Sequence, residues 1–280
     1  MDRILVGTTT KTDRLLVAGL VDLQPVFNAL QGSVLIVGGL MTRLWLHAQP
    51  IGLPARATAD VDLGIDRRRL RLAATSRVIR PLLEQHGFDP GGGAVGEPFR
   101  FSKEFAGGQK LVVDLLVAPG ASRSEPPLLE KDLTSLAAPG LAYAFLRGVY
   151  VMPVDFFDDG EISGFDLPLP HLDAAFVMKA ELTRSGMRSR ADRRRTDTVD
   201  AMSLAASCLA RPDSMEALKT HRTRSDVRGA HRWIAESFGD PKAAAARRVE
   251  EHFRQEFGRA GSDEWAVDVA RRFVATLDST

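Results

Sequence analysis

Two aspartates one residue apart, Asp60 and Asp62, stand in the segment TADVDLGID, downstream of a glycine pair, Gly38 and Gly39, that follows the apolar run VLIV. In an extended strand alternate side chains share a face, so Asp60 and Asp62 project together, about 7 Å apart along the backbone, while Val61 turns to the core. Two such carboxylates can hold divalent ions spaced roughly 3.5–4 Å apart. A third acid, Asp114, interrupts the apolar run KLVVDLLV. A carboxylate in a buried strand is costly without a partner, and the partner expected here is metal. Asp60, Asp62 and Asp114 would together hold Mg²⁺, a hard cation shared between carboxylates and phosphates. Gly38 and Gly39 lack Cβ atoms at a strand-to-helix turn, so backbone N–H groups there can approach a triphosphate.

Each signal also has a plain reading. A glycine pair marks many ordinary turns, and an Asp-x-Asp is often a solvated strand end. Their order points to chemistry: apolar strand, glycine pair, helix, Asp-x-Asp, helix, then a strand with a central acid.

Two further charges fall on faces that should turn inward. Leu172, Phe176, Lys179 and Thr183 form one helical stripe, and Asp197, Ala201, Leu204 and Cys208 form another. An inward Lys and an inward Asp need partners. Either they form an ion pair between two helices, or Lys179 reaches nucleotide phosphates or departing pyrophosphate while Asp197 orients it or meets the base or acceptor. Asp200, one turn on, is the alternative to Asp197.

The elements that must position these residues follow from periodicity and turn chemistry. A helix is expected over Arg14–Leu30, a strand over Val34–Val37, a short helix over Leu40–His47, the Asp60 strand, and a helix over Asp66–His86. Phe99–Phe105 reads as an edge strand joined through a turn at Gly107 and Gly108 to the strand Lys110–Val117. The fold class expected is α/β, a small mixed sheet with packed helices, followed by a helical C-terminal domain. The boundary falls near residue 165, giving domains 1–165 and 166–280.

At 280 residues and 44% hydrophobic, the chain can bury a sizeable core. Its single cysteine, Cys208, excludes an internal disulfide and reads as a core residue. The N-terminus lacks a secretory pattern, and the apolar region Leu136–Val154 is interrupted by prolines, glycines and an arginine. A cytoplasmic protein with no membrane partner is therefore expected. Net charge is only +1, so there is no strong overall field for nucleic acid. Locally, six arginines against one acid lie between Arg184 and Arg195, and a second basic region spans Lys219 to Arg232. Such runs are often solvated faces; the first, lying between Lys179 and Asp197, could hold a nucleic-acid backbone.

Over roughly Val34–Ala210 the chain resembles the DNA polymerase β-like nucleotidyltransferases, and among them the AbiEii-type, MenT-like toxins of bacterial toxin–antitoxin systems. The resemblance rests on Gly38-Gly39, Asp60-Val-Asp62, Lys179 and Arg195-Thr-Asp197-Thr-Val-Asp200. It departs where Gly39 replaces the usual serine, and in the 20 residues separating Gly39 from Asp60. The resemblance implies Mg²⁺-dependent transfer of a nucleoside monophosphate from an NTP to the 3′ end of tRNA, releasing pyrophosphate. Asp60, Asp62, Lys179 and Asp197 would be catalytic, Gly38, Gly39, Lys179 and Arg195 would bind nucleotide, and a cognate protein antitoxin is implied. Two other readings stay open: transfer to a protein or small-molecule hydroxyl, and a catalytically silent RNA- or partner-binding module.

Overall fold

The structure is a computed structural model and describes residues 3–49, 58, 60–72, 79–91, 99–119, 128–130, 133–185, 191–240, 243–257 and 265–279. Among these the chain is mixed α/β, with eleven α-helices and sheets of mixed strand direction. No helix of the described residues is long and apolar enough to cross a membrane.

The chain opens with strand β1 (Ile4–Gly7) and helix α1 (Lys11–Ala29). Thr10 caps α1 by accepting from the Asp13 backbone N–H, and the Asp13 side chain accepts in return from the Thr10 backbone. This reciprocal box fixes the helix start, three residues before the sequence expectation. Strand β2 (Val34–Val37) runs straight into α2 (Gly38–His47). After β3 (Asp60–Ile65), the helix expected over Asp66–His86 is described at its two ends, as α3 (Arg67–Leu72) and α4 (Ile79–Gln85), and residues 73–78 lie outside the described residues. Strands β4 (Asp89–Pro90), β5 (Arg100–Phe105) and β6 (Gln109–Val117) follow, then the short β7 (Leu128–Glu130), β8 (Leu133–Thr134) and β9 (Leu136–Ala137).

The principal sheet has the order β2-β3-β6-β5-β4, with β9 added beside β6. Strands β3 and β6 are parallel, whereas β2–β3 and β5–β6 are antiparallel, as a mixed sheet requires. Strand β5 is not the edge that alternation alone suggests, because β4 pairs with its first half. Along β3 and β6 the residues Val61, Leu63, Ile65, Leu111, Val113 and Leu115 are buried on one face. There α1 lies so close that a Cβ on Gly19 would strike Leu111. The opposite face carries the polar residues.

A second sheet was not anticipated. Helix α5 (Leu141–Arg147) is followed by two ten-residue strands, β10 (Val149–Asp158) and β11 (Glu161–Pro170), which pair as a hairpin, and β1 joins β10 in parallel. Everything after Pro170 is helical among the described residues: α6 (Leu172–Arg184), α7 (Ala191–Leu209), α8 (Pro212–Thr220), α9 (Ser225–Phe238), α10 (Ala244–Phe257) and α11 (Trp265–Asp278). Helix α6 is the inner one, buried at every position from Leu172 to Glu181. One continuous hydrophobic cluster joins both sheets to these helices.

Helices α1 and α2 are clasped by a buried ion pair between Asp13 and Arg43, whose side chains are 3% and 7% exposed. Burial pushes the Asp13 carboxyl up, but hydrogen bonds from Arg43 and Thr10 and the Arg43 charge outweigh it, leaving it below the ordinary carboxylate range. Removing one partner of a buried pair leaves an uncompensated charge, so Arg43→Ala should cost about 3–5 kcal/mol near pH 7. The sign with pH follows. In the native protein the Asp13 contribution is complete above its unfolded pKa and fades as pH falls through the lower folded value. In the variant only the Thr10 hydrogen bonds are left to oppose burial, so protonating Asp13 costs the fold less, and urea denaturation should show the gap between the two proteins narrowing towards about pH 4.

Candidate active site

A single row of four residues crosses the sheet. Val37, Asp62, Asp114 and Arg100 are paired in register on β2, β3, β6 and β5. Directly paired residues share a face, so the row looks into one cleft, with Asp60 two residues before Asp62. Asp60 is exposed, Asp62 half-buried and Asp114 buried. Asp60 and Asp62 are thus placed as the Asp-x-Asp spacing requires.

The cleft has a volume of about 420 Å³ and is lined by Gly38, Gly39, Asp60, Asp62, Asp114, Lys179 and Asp197 among others. Residues separated by up to 160 positions in sequence, Val37 and Asp197, therefore meet in one place. A larger groove, about 1050 Å³, lies between α1 and the β10–β11 hairpin, but its lining offers a single carboxylate, Asp166, already beside Arg3 at 3.4 Å. The charged side chains gather in the smaller cleft, not in the larger groove.

Comparison with known proteins gives no match. No protein-family model, no curated protein and no solved structure matches this chain. The chemistry of the cleft has to be read from its own side chains.

Gly38 is required twice over. Its φ is +70°, the left-handed region that side chains avoid, and a Cβ there would fall on the Asp62 carboxylate. The start of α2 is thereby pressed against the Asp62 carboxylate, and its N-cap, Val37, offers no side chain to the first N–H groups. Gly140, at φ +79°, plays a comparable packing role beside α6: a Cβ would come within 2.8 Å of the Met178 backbone, next to Lys179.

Lys179 is 3% exposed, and its Nζ lies 2.8 Å from Asp197 Oδ1 and 2.7 Å from Asp200 Oδ2. The two open alternatives for Lys179 are therefore joined: it is an interhelical ion pair, and both Lys179 and Asp197 line the cleft. The choice between Asp197 and Asp200 dissolves as well, because Lys179 bridges both. This clasp holds α6 to α7 at the mouth of the site.

Asp114 has a partner that sequence reasoning missed. Arg100 Nε donates to Asp114 Oδ1 at 2.7 Å and Nη2 to Oδ2 at 2.8 Å, a two-pronged contact. The signal was present: Arg100 and Asp114 each stand seven residues from Gly107, the centre of the hairpin turn. Arg195 is placed elsewhere. It is not among the cleft-lining residues, and its Nη1 lies 3.4 Å from Gln255 Oε1 on α10, while its neighbour Thr196 lines the cleft.

Of the basic run, Arg184 is held by Glu181 through Nε and Nη2 at 2.7 and 2.8 Å. Arg188 and Arg190 lie outside the described residues, as do the side chains of Arg193 and Arg194. In the second region Arg222, Arg228 and Arg232 are exposed.

The donor set can be tested against magnesium. Among the described residues no group of three or more His, Cys, Asp or Glu side chains is arranged to hold a metal ion, and Asp114 is engaged by Arg100. Asp60 and Asp62 still supply two carboxylates on one face of one cleft. That fits Mg²⁺, which is commonly bound by one or two carboxylates with waters and substrate phosphates completing its shell.

Proposed function

We propose that this chain is a magnesium-dependent nucleotidyltransferase, a toxin of a toxin–antitoxin system that moves a nucleoside monophosphate from an NTP to the 3′ end of tRNA. The observation that carries the chemistry is the meeting of Asp60, Asp62, the start of α2 and Lys179 in one cleft. The tRNA acceptor, the toxin role and a cognate protein antitoxin rest on the resemblance of the Gly-Gly, Asp-x-Asp, Lys and Arg-x-Asp-x-x-Asp elements. In this reading residues 1–165 form the nucleotidyltransferase core and residues 166–280 the helical domain that completes the site.

Asp60 and Asp62 would hold the metal, which when bound lowers the pKa of the attacking hydroxyl and neutralises triphosphate charge. Backbone N–H groups at Gly38 and Gly39 receive phosphate oxygens, where the α2 dipole adds a favourable potential. Lys179 has a flexible ammonium that can turn from its two aspartates towards departing pyrophosphate, and Asp197 and Asp200 hold it beside the cleft. The second carboxylate pair thus stores the cation that the leaving group needs.

The test is incubation of the purified chain with each α-labelled NTP and Mg²⁺, with either total tRNA or cell protein as acceptor. Label in tRNA, abolished by chelation, is expected. Label confined to protein would overturn the acceptor, and absence of pyrophosphate release with every NTP would overturn the enzyme reading altogether.

A further inference from the structure

The carboxylate at the third position of the row is bound to a guanidinium, and that pairing has a use beyond neutralising charge. Arg100 and Asp114 are direct cross-strand partners, the Asp114 side chain is 12% exposed and that of Arg100 25%, and both line the cleft. A guanidinium carries five N–H donors in a rigid fork, and the contact with Asp114 takes two of them. The Phe99 ring, 5.7 Å from the guanidinium carbon, flanks it. The group is therefore held at three points: by its strand, by a carboxylate and by an aromatic ring.

From this geometry we infer that Arg100 binds the triphosphate of the nucleotide and that Asp114 is its positioning residue rather than a metal ligand. The inference rests on the function proposed above and deepens it. Two features favour it over a three-carboxylate metal site. A half-buried two-pronged Arg–carboxylate contact is among the strongest hydrogen-bonded pairs, so a metal at Asp114 would compete with it. A planar guanidinium also matches phosphate oxygens as it matches a carboxylate, and Arg100 itself lines the cleft. Asp62 and Arg100 stand on either side of Asp114 in the row, two strand spacings or about 10 Å apart at the backbone. The Arg100 side chain reaches back to Asp114, which narrows that span to one a triphosphate can bridge.

Two binding measurements separate the assignments. The first is Mn²⁺ affinity without nucleotide, followed by electron paramagnetic resonance. Asp62→Asn should lose at least about tenfold, and Asp114→Asn should stay within about threefold of the unaltered protein, since only the former is a ligand. The second is calorimetric affinity for the α,β-methylene analogues of the four NTPs in Mg²⁺. Arg100→Gln should weaken it at least about tenfold, Asp114→Asn by a similar factor, and the double variant no more than about twofold further, because both changes remove one unit. Arg100→Lys keeps the charge but not the fork, and should still lose at least about threefold with an unaltered melting temperature. This variant carries the test if Arg100→Gln does not fold.

Loss of Mn²⁺ binding in Asp114→Asn equal to that in Asp62→Asn would make Asp114 a ligand and overturn the inference. So would analogue affinity within about twofold of the unaltered protein in Arg100→Lys and Arg100→Gln, given the loss expected for a charge-assisted contact. If the unaltered protein binds none of the four analogues, the proposed function itself fails, an outcome distinct from either of these.

Discussion

Asp62→Asn is expected to lower nucleotide transfer by at least about 10³-fold, because removing a metal carboxylate forfeits several kcal/mol of transition-state stabilisation, and about 4 kcal/mol corresponds to that factor. The fold should survive. Asn keeps the shape of Asp, fits beside Gly38, and removes one charge from a row in which Asp62 adjoins Asp114 and shares its face with Asp60. Like charges so placed repel, so thermal unfolding should show stability unchanged within about 1 kcal/mol or raised, as is common where a site is built at a cost to the scaffold. Pyrophosphate release read alongside the melting temperature gives the answer. Normal turnover in a folded Asp62→Asn protein would remove this residue from the chemistry.

The second large effect concerns Lys179, and the structure alters what its removal should do. Read from the sequence, Lys179 is either half of an interhelical ion pair or a reaching cation; in the fold it compensates Asp197 and Asp200, whose side chains are 5% and 7% exposed. Lys179→Met would leave two neighbouring buried carboxylates without their cation, at a cost of about 3–5 kcal/mol. Loss of activity in that variant alone would prove little. The informative protein is the triple variant Lys179→Met, Asp197→Asn, Asp200→Asn, in which no charge is left stranded. Its stability should return to within about 1–2 kcal/mol of the starting protein, since replacing every partner of a buried pair is often near neutral. Its transfer activity should remain absent. Recovery of both would assign the clasp a structural role only.

Much of this site was legible because strand and helix periods are strict. Asp60 and Asp62 share a face by the two-residue repeat, and Lys179 and Asp197 turned out buried where their apolar stripes placed them. The α/β character, the β2 limits and the turn at Gly107 followed from local residue types. What escaped was set by distant contacts. The hairpin β10–β11 contains Pro153, Pro168 and Pro170, which read as breakers. They are tolerated because β1 pairs with β10 only from Val154 onward, so no strand needs an N–H from Pro153 on that side, and β11 lies at the sheet edge. Arg195 was assigned by its place in a motif, yet α7 sends successive side chains in different directions, and Thr196 rather than Arg195 reaches the cleft. The Arg100 contact was a matter of counting outwards from a turn.

The row from Val37 to Arg100 spans four strands whose mutual alignment is set by ladder hydrogen bonds. Sliding β3, β6 or β5 by a single step would rotate its charged member to the opposite surface. No half-built version of this centre can therefore exist: competence should appear together with the native sheet, and a heated or urea-treated sample should lose turnover and tertiary structure along one and the same curve.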